Sequence, residues 1–484
     1  MENNPFSSPK PGPSSAIDPL DVELSLLLSP VEFETYDIPD LNFEIGDDEL
    51  YGILTESNDS ILDEWTNEKY DEANIDAALQ DADSRNEVEN SQEDNSPDES
   101  SSWFPGNPDS MVELPFTGTS GILTPHQMAE KTPLDYFFLF LNGQIIDLII
   151  NCTNKNGNKL KSAAVATHSR FTRWADITLI EFRCFLGILL LMGTIKLNRM
   201  ADYWSNHYLF CLSPRQFMSR DKFYLILRAL SVQRNERNES LFKVKDLIDL
   251  FNDSINAIYY PVKELTIDES LILWKGRLAF RQYLKGKAHK YGVKLYILAD
   301  ANGIILKIHV YAGSKDQLVG GRNHVKKVIK LLMQKYLDKG HALYLDNFYT
   351  SVGIADELLD KNTYVTGTLR PNRVGNPALV KNTPLSLGES CIAHNNKKIV
   401  VTKWKDKREI LFISTEHKSN YEGTTSRRVR TVKFKPAVQA RYNKYMRAID
   451  RHDQLLSYYC CEHKTLRWYK KVIIHIIQIC LVNG

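Results

Sequence analysis

Four aspartates in three separate segments of the chain have the residue type and setting to act together on a substrate. Asp268 lies inside the apolar run ELTIDESLILW, Asp346 ends the apolar run ALYLD, and Asp450 and Asp453 lie in RYNKYMRAIDRHDQLLSYY. A carboxylate is costly to bury in an apolar strand, so a metal ion or a partner group is expected beside it. Carboxylate oxygens are the hard ligands that magnesium prefers. The three segments therefore indicate a divalent-metal site.

A site of this kind suits phosphodiester chemistry. Two magnesium ions about 3.5–4 Å apart, bridged by carboxylates, neutralise both the attacking and the leaving oxygen. We predict that Asp268, Asp346 and Asp450 are catalytic and hold two Mg²⁺ ions, with Mn²⁺ as an alternative ion. Asp453 follows Asp450 on the same helical face and is predicted as a fourth metal ligand.

Each acid also has an interpretation without a metal. Aspartates at strand ends commonly cap a following helix, and this applies to Asp346. Glu269 is the rival of Asp268, because strand alternation puts the two on opposite faces and only one can point at the site. Asp300, beside an Asn-Gly turn, and Asp316 are predicted to be turn and helix-start residues.

A basic stretch follows the first of these acids. Residues 271–294, LILWKGRLAFRQYLKGKAHKYGVK, hold seven Lys and Arg residues, the last being Lys294, and no acid. Four aromatic residues are interleaved with them: Trp274, Phe280, Tyr283 and Tyr291. A solvated surface usually mixes charge signs, so this pattern favours a DNA backbone beside the site.

A second basic patch, TGTLRPNRVGNP, places two arginines in a turn, where they either contact phosphates or guanine edges or form an ordinary surface turn. Across both patches the predicted DNA-binding residues are Lys275, Arg277, Lys285, Lys287, Lys290, Arg370 and Arg373.

The formal net charge of zero hides a division of the chain. Residues 1–110 hold 29 Asp and Glu against three Lys and Arg, a net of −26, so the remainder carries +26. The first segment is poor in apolar residues and cannot bury enough surface to offset its chain entropy, so a disordered acidic tail is predicted there. Its short apolar islands either fold on a partner or belong to a solvated spacer. We also hypothesise that the tail inhibits DNA binding by occupying the basic groove.

The rest of the chain is predicted to be an α/β protein. Residues 122–262 show helical periodicity. From 263 to 370 the order is β-β-β-α-β-α-β, the order of a ribonuclease-H-like core, with Asp268 in the first strand and Asp346 at the end of the fourth. Residues 371–436 are predicted to be a β-rich insertion into this core, and residues 437–484 its last helices.

The start of the chain lacks a secretory signal, so its seven cysteines are expected to be reduced and free. Their spacing does not suggest zinc, which is not expected in this chain. The longest apolar run, Phe185–Ile195, is shorter than the about 20 residues that span a bilayer, so no membrane association is expected.

Ten stretches resemble the piggyBac transposases and the piggyBac-derived proteins of animal genomes over roughly residues 125–484. They recur in order and are PLDYF, LGILLLMG, DYW, FMSRDKF, TIDES, KGRLAFRQYLKGKAHKYGVKLY, YLDNFYTS, TGTLRPNR, YNKYM with DRHDQ, and RWYKK. The resemblance implies a ribonuclease-H-like core split by a β-rich insertion, preceded by a helical dimerisation and DNA-binding domain. The family's three catalytic aspartates fall on Asp268, Asp346 and Asp450, a further functional acid falls on Asp453, and a DNA-contacting basic pair falls near Arg370 and Arg373.

What the resemblance implies for function is cut-and-paste transposition. We expect a homodimeric, nuclear enzyme that cleaves double-stranded DNA at transposon ends, joins it at TTAA, and uses magnesium. Two departures from the family favour the alternative, a domesticated DNA-binding protein without transposition. Arg447, Ala448 and Ile449 precede Asp450 where the family usually has Gly-Gly-Val, and the family's cysteine-rich zinc finger would lie beyond Gly484, so it is either lost or outside a truncated sequence. A ribonuclease or junction nuclease of the same fold is a third alternative.

Overall fold

The computed structural model describes residues 102–123, 130–164, 169–207, 212, 214–234, 241–284, 290–425 and 432–484. The predicted tail lies outside the described residues up to residue 101. Two of the predicted DNA-binding residues, Lys285 and Lys287, also lie outside them.

Five helices form the first layer, as the periodicity of residues 122–262 predicts. Two of them begin with capping boxes, in which Thr132 pairs with Asp135 and Thr178 with Glu181, so the first backbone N–H groups are satisfied. The third helix buries an almost continuous apolar run, which explains its lack of a polar face. The helices are α1 (Pro133–Phe140), α2 (Gly143–Ser162), α3 (Leu179–Thr194), α4 (Arg220–Ala229) and α5 (Lys245–Ile258).

The predicted order of elements after residue 263 is confirmed, with one extra two-residue strand, β5. Two short strands that precede these elements, β2 (Gly121–Ile122) and β3 (Tyr259–Tyr260), pair with each other. The elements that follow are β4 (Glu264–Leu273), β5 (Gln282–Tyr283), β6 (Tyr291–Asp300), β7 (Ile305–Val310), α6 (His324–Met333), β8 (Ala342–Leu345), α7 (Val352–Leu359) and β9 (Tyr364–Leu369).

Strand β4 lies in the middle of a ten-stranded sheet. It pairs antiparallel with β6 and parallel with β8, and β8 pairs parallel with β9. All four residues of β8 are buried, as expected for a parallel strand covered on both faces. The registers that matter for the site are Asp268 opposite Ile297, Glu269 opposite Tyr296, and Ile267 opposite Leu345.

Residues 371–436 contain the predicted β-rich segment, and three of its strands continue the same sheet. Strand β12 pairs antiparallel with β9, and β11 and β10 follow in order. Strands β13 and β14 form a separate two-stranded ribbon. The domain boundaries at 371 and 436 stay predictions. The elements are α8 (Ala378–Asn382), β10 (Ser390–Asn395), β11 (Val400–Lys405), β12 (Glu409–Ser414), β13 (Tyr421–Thr425) and β14 (Val432–Pro436).

Residues 102–123 form an extended strap along the body. Strand β1 (Trp103–Pro105) pairs with β10 at the edge of the sheet. Further along, the hydroxyl of Tyr364 donates to the carbonyl of Val112, and the N–H of Thr117 donates to the carbonyl of Lys339. The prediction that the disordered tail extends to residue 110 is therefore wrong for residues 102–110, because strand pairing with a distant segment orders them.

Three helices end the chain: α9 (Ala437–Tyr445), α10 (Ala448–Tyr458) and α11 (Trp468–Asn483). Helices α9 and α10 pack on β4, and the hydroxyl of Thr266 donates to the carbonyl of Tyr445 over 3.0 Å. Helix α11 is buried almost all round. Within the described residues no single helix is long and apolar enough to cross a bilayer, and only α1 and α2 together, bent by 65°, meet the length and composition required.

Candidate active site

Asp268 lies on the face of β4 that meets the last helices. Thr266 and Ser270, two residues to either side, share this face because side chains alternate along a strand. Thr266 is bonded to the end of α9, and the hydroxyl of Ser270 donates to Oδ1 of Asp453 on α10 over 2.8 Å. The half-buried carboxylate of Asp268 therefore lies between two anchor points of the helical layer.

Asp346 lies beside Asp268 in the sheet. Ile267 and Leu345 are paired on the parallel strands β4 and β8. Asp268 directly follows Ile267 and Asp346 directly follows Leu345, so the two acids lie at the same level of neighbouring strands. One oxygen of Asp346, Oδ1, accepts the N–H of Phe348 over 2.9 Å in the turn that follows β8, whereas α7 is capped by Ser351, so the helix-capping interpretation of Asp346 is wrong. Burial raises the pKa of Asp346 to about 6, and the negative charge of Glu269 adds to this.

All three predicted catalytic acids contribute to raising the pKa of the Tyr442 hydroxyl on α9. Its pKa is raised to about 12, first by burial and then by the negative charges of Asp346, Asp268 and Asp450. Tyr442 therefore lies within electrostatic reach of all three carboxylates. Asp450 is exposed in the first turn of α10, whereas Asp453 is half-buried against Ser270.

The prediction that Glu269 is turned away from Asp268 is wrong for the side chains, because a hydrogen bond between the two carboxyl groups contributes to the lowered pKa of Glu269. Its Oε1 lies 3.3 Å from Nζ of Lys294, and the two side chains are only 12% and 8% exposed. Burial alone would raise the pKa of Glu269, but the charge of Lys294 outweighs it and lowers that pKa. Lys294 also lies over the rings of Tyr296 and Phe348, 4.6 and 5.2 Å from their centroids. Glu269 is therefore part of a buried ion pair behind the site.

Asp300 and Asp316 are both turn residues, so the prediction of a turn is confirmed, whereas the prediction of a helix start is wrong for Asp316 because the next helix begins at His324. Asp300 accepts the Tyr259 hydroxyl over 2.6 Å and the N–H of Asn302 at the turn. Asp316 accepts the N–H groups of Leu318 and Val319, which fixes the turn after β7. The oxygens of both carboxylates are used within the fold.

The donor set around Asp268 fits magnesium in chemistry. It consists of carboxylate oxygens. The pKa of Asp346 is raised by burial and by the negative charge of Glu269, so a cation beside Asp346 would be stabilised there. Among the described residues, no three His, Cys, Asp or Glu side chains lie close enough to hold one ion. Magnesium in phosphoryl-transfer sites is bound by one or two carboxylates plus substrate phosphates and waters, so a ready three-acid cage is not required.

The predicted DNA-binding residues fall into two groups. Lys275, Arg277 and Lys290 are exposed around β5. Arg370 and Arg373 instead hold the turn that carries Asp346: Nε of Arg370 donates to Asn347 over 3.4 Å, and Nη2 of Arg373 donates to the Phe348 carbonyl over 2.6 Å. A DNA contact for any of them stays a prediction.

Part of the basic stretch is internal. Trp274 and Phe280 are only 7% and 3% exposed, and Phe280 packs edge-on against Trp468 with ring centroids 5.1 Å apart. Lys294 is buried against Glu269. The interpretation of the whole stretch as one DNA-facing surface is therefore wrong for these three residues, because β5 and β6 fold them into the core.

Sequence reasoning missed Tyr442 and the Lys294–Glu269 pair. No local signal marks Tyr442 among the many tyrosines. The ion pair has a signal in the register, since Lys294 is opposite Leu271, two residues from Glu269, and diagonal neighbours on adjacent strands lie within reach of long side chains.

Comparisons with known proteins agree with this architecture. The family model described as Transposase IS4 matches residues 132–484. The human piggyBac transposable element-derived proteins 3 and 2 are each 24% identical to the chain, over 371 and 385 residues. Each alignment covers 73% of this chain but only 60% and 61% of those proteins, less than two thirds of their length.

A solved structure gives the same result. A piggyBac transposase, determined as a synaptic complex with hairpin DNA, matches with a TM-score of 0.64 and 25% identity over 76% of each chain. The fold of this chain is therefore the mixed α/β fold of that protein, built on a large sheet. The matched model covers well over half of the sequence, and the chain belongs to the Transposase IS4 family, with the piggyBac transposases among its relatives.

Proposed function

We propose that the chain is a piggyBac-type DNA transposase, which cleaves DNA and transfers strands at TTAA with a catalytic site made of Asp268, Asp346 and Asp450. The observation that carries the proposal is that Asp268 and Asp346 directly follow the parallel pair Ile267 and Leu345 on neighbouring strands, while the Ser270 hydroxyl bonds Asp453 on α10, the helix that also carries Asp450. The strand order β7-β6-β4-β8-β9, with β6 antiparallel to β4, supports a ribonuclease-H-like core.

In this proposal Asp268, Asp346 and Asp450 hold two magnesium ions, and Asp453 orients α10 through Ser270. When bound, the ions neutralise the attacking and leaving oxygens of the phosphodiester. Asp346 is held in position by the Phe348 N–H, and Arg370 and Arg373 fix the turn around it. These contacts limit movement of the carboxylate, which matters because errors near 1 Å are costly in a metal site.

Double-stranded DNA is the proposed substrate, with transposon ends and TTAA targets as its specific forms. Three exposed cations around β5, namely Lys275, Arg277 and Lys290, support backbone binding. The solved relative binds hairpin DNA in a synaptic complex. A homodimer in the nucleus is the proposed working unit, by analogy with that assembly and with DNA as the substrate.

The test is a magnesium-dependent nicking assay on a TTAA-flanked duplex. Asp346→Asn should abolish nicking, since it removes a charge at the centre of the site without changing its size. Asp356→Asn is the matched control, because Asp356 lies on α7 in a surface ion pair with Lys397. Equal nicking by wild type and Asp346→Asn, or none by either, would remove the enzyme proposal.

A second candidate function is a DNA-binding protein without transposition. It is favoured by the exposure of Asp450 and by the absence, among the residues described, of three acids close enough to hold one ion. Its signature in the same assay is DNA binding without nicking by wild type.

A further inference from the structure

Helix α10 presents one exposed stripe that starts beside the proposed catalytic site. Arg447, Arg451, Gln454 and Tyr458 are exposed and recur at helical spacing, so they lie on one side of the helix. The opposite side is buried, including Ile449, which is fully buried. We call these four exposed residues the α10 stripe. It is about 16 Å long at 1.5 Å per residue, the rise of about five base pairs of DNA.

Across the described ranges of the chain, the cations of α10 and of the segment after it are not paired with acids. Besides the two arginines of the stripe, Lys464 and Arg467 are exposed in the segment that follows α10. In the part of the chain that the structure describes, no ion pair joins any of these four cations to an acid. Other surface cations are paired, as Lys397 is with Asp356 and Asp360. The acids nearest in sequence are Asp450, at the start of the stripe, and Glu462, which is buried with Lys471 and His475.

The far end of the stripe is aromatic. Tyr458 is 57% exposed, and its hydroxyl accepts the side-chain amide of Gln454 over 2.7 Å. Tyr459 is 51% exposed, and its carbonyl accepts the side-chain amide of Gln478 over 2.9 Å. Leu455 and Leu466, 38% and 50% exposed, lie near them in sequence. An exposed tyrosine ring whose hydroxyl is held, as that of Tyr458 is, can serve as a platform on which a base stacks.

We propose that the α10 stripe binds the DNA strand leaving the catalytic site, with Arg447 and Arg451 on phosphates and an unpaired base stacked on Tyr458. This inference deepens the proposed function and rests on it, because the first two residues of the stripe, Arg447 and Arg451, flank Asp450 in the sequence. DNA is favoured over a protein partner because Arg447 and Arg451 attract a polyanion, whereas the exposed leucines lie only toward the end of α10 and beyond it. Metal ions bound at the proposed site would offset the charge of Asp450, which is exposed next to Arg451.

The first test measures DNA affinity of the full chain as a function of salt, in EDTA so that no cleavage occurs. The probe is a labelled duplex with TTAA at its centre. Arg447→Gln with Arg451→Gln should weaken binding and reduce the slope of log affinity against log salt by about 2, because each phosphate contact contributes about 0.9. Lys397→Gln, the same charge change at a distant ion pair, should leave the slope unchanged. A slope unchanged in the double variant would overturn the proposal.

The second test separates the ring of Tyr458 from its hydroxyl. The probe is the same duplex with a short unpaired flank. Tyr458→Ala should weaken binding about fivefold or more, while Tyr458→Phe, which also loses the Gln454 contact, should bind as wild type does. If Tyr458→Ala instead alters the sedimentation of the protein and leaves DNA affinity unchanged, the surface binds a second copy of the chain and the proposal is wrong.

Failure of this inference is distinguishable from failure of the proposed function. Loss of nicking in Asp346→Asn with normal DNA binding supports the catalytic site whatever the α10 stripe does. The converse outcome is that the α10 stripe binds DNA while Asp346→Asn leaves nicking unchanged. That result supports the DNA-binding proposal for the stripe and contradicts the proposed catalytic site.

Discussion

Removing the ammonium group of Lys294 should destabilise the protein far more than removing an exposed one. In Lys294→Met the carboxylate of Glu269, 12% exposed, loses the cation 3.3 Å away. Breaking a buried ion pair by deleting one partner costs about 3–5 kcal/mol, because an uncompensated charge stays buried. We therefore expect the free energy of unfolding to fall by about that amount.

The assay is urea unfolding followed by tryptophan fluorescence. The matched control is Lys245→Met, since Lys245 pairs with Asp249 at 3.1 Å but the two side chains are 37% and 58% exposed. An exposed pair of this spacing contributes about 0.3–0.5 kcal/mol. The double variant Lys294→Met with Glu269→Gln should recover part of the loss, because it removes the buried charge as well.

Two results would refute this reasoning. One is a Lys294→Met protein as stable as Lys245→Met, which would mean that water reaches Glu269 in the folded state. The other is a double variant that loses as much as the two single variants added together, since residues in contact should not behave additively.

Three further predictions concern other parts of the fold. Burial would raise the pKa of Asp316, but the hydrogen bond and charge of His309 outweigh it and lower that pKa to about 2. The ionised carboxylate of Asp316 therefore stabilises the folded protein above pH about 4, and this stabilisation is lost as the pH falls toward 2. Asp316→Asn should lower the free energy of unfolding by about 2 kcal/mol at pH 7 and by nothing near pH 2. A difference between wild type and variant that does not change with pH would contradict this. Gly340→Ala should destabilise more than Gly321→Ala, because both have positive φ but only at Gly340 does an added Cβ meet the strap, 2.2 Å from the Pro115 carbonyl oxygen; equal urea midpoints would contradict the clash. Deleting residues 1–101, which carry most of the acidic excess, should strengthen DNA binding at low salt, and unchanged affinity would count against inhibition by the tail.

The central features of the core could be predicted from sequence because they depend on local patterns. The apolar run around Asp268 predicts strand β4, and the Asn-Gly turn gives Asp300 its role. Capping boxes at Thr132 and Thr178 mark two helix starts. In each case the periodicity or the turn chemistry of neighbouring residues determines the outcome.

What could not be predicted depends on pairing between distant segments. Lys294 looks like one more surface cation until the register of β4 with β6 places it against Glu269. Trp103 belongs to an acidic segment by composition, yet it pairs with Asn395 of β10. Likewise, strand pattern alone does not tell whether β12 joins β9 or a separate sheet. Such contacts depend on tertiary geometry that no window of sequence contains.

The strap has a consequence for the response of the protein to mechanical force. Its attachments occur one after another along the chain, from β1 on β10, through Val112 on Tyr364 and Thr117 on Lys339, to β2 on β3. A motor pulling on the N-terminal end would load them singly, so each would rupture before the next carried force. The strap would therefore peel away before the body of the fold is loaded, and beyond residue 123 the pull would reach α1 and the other helices before the central strand β4.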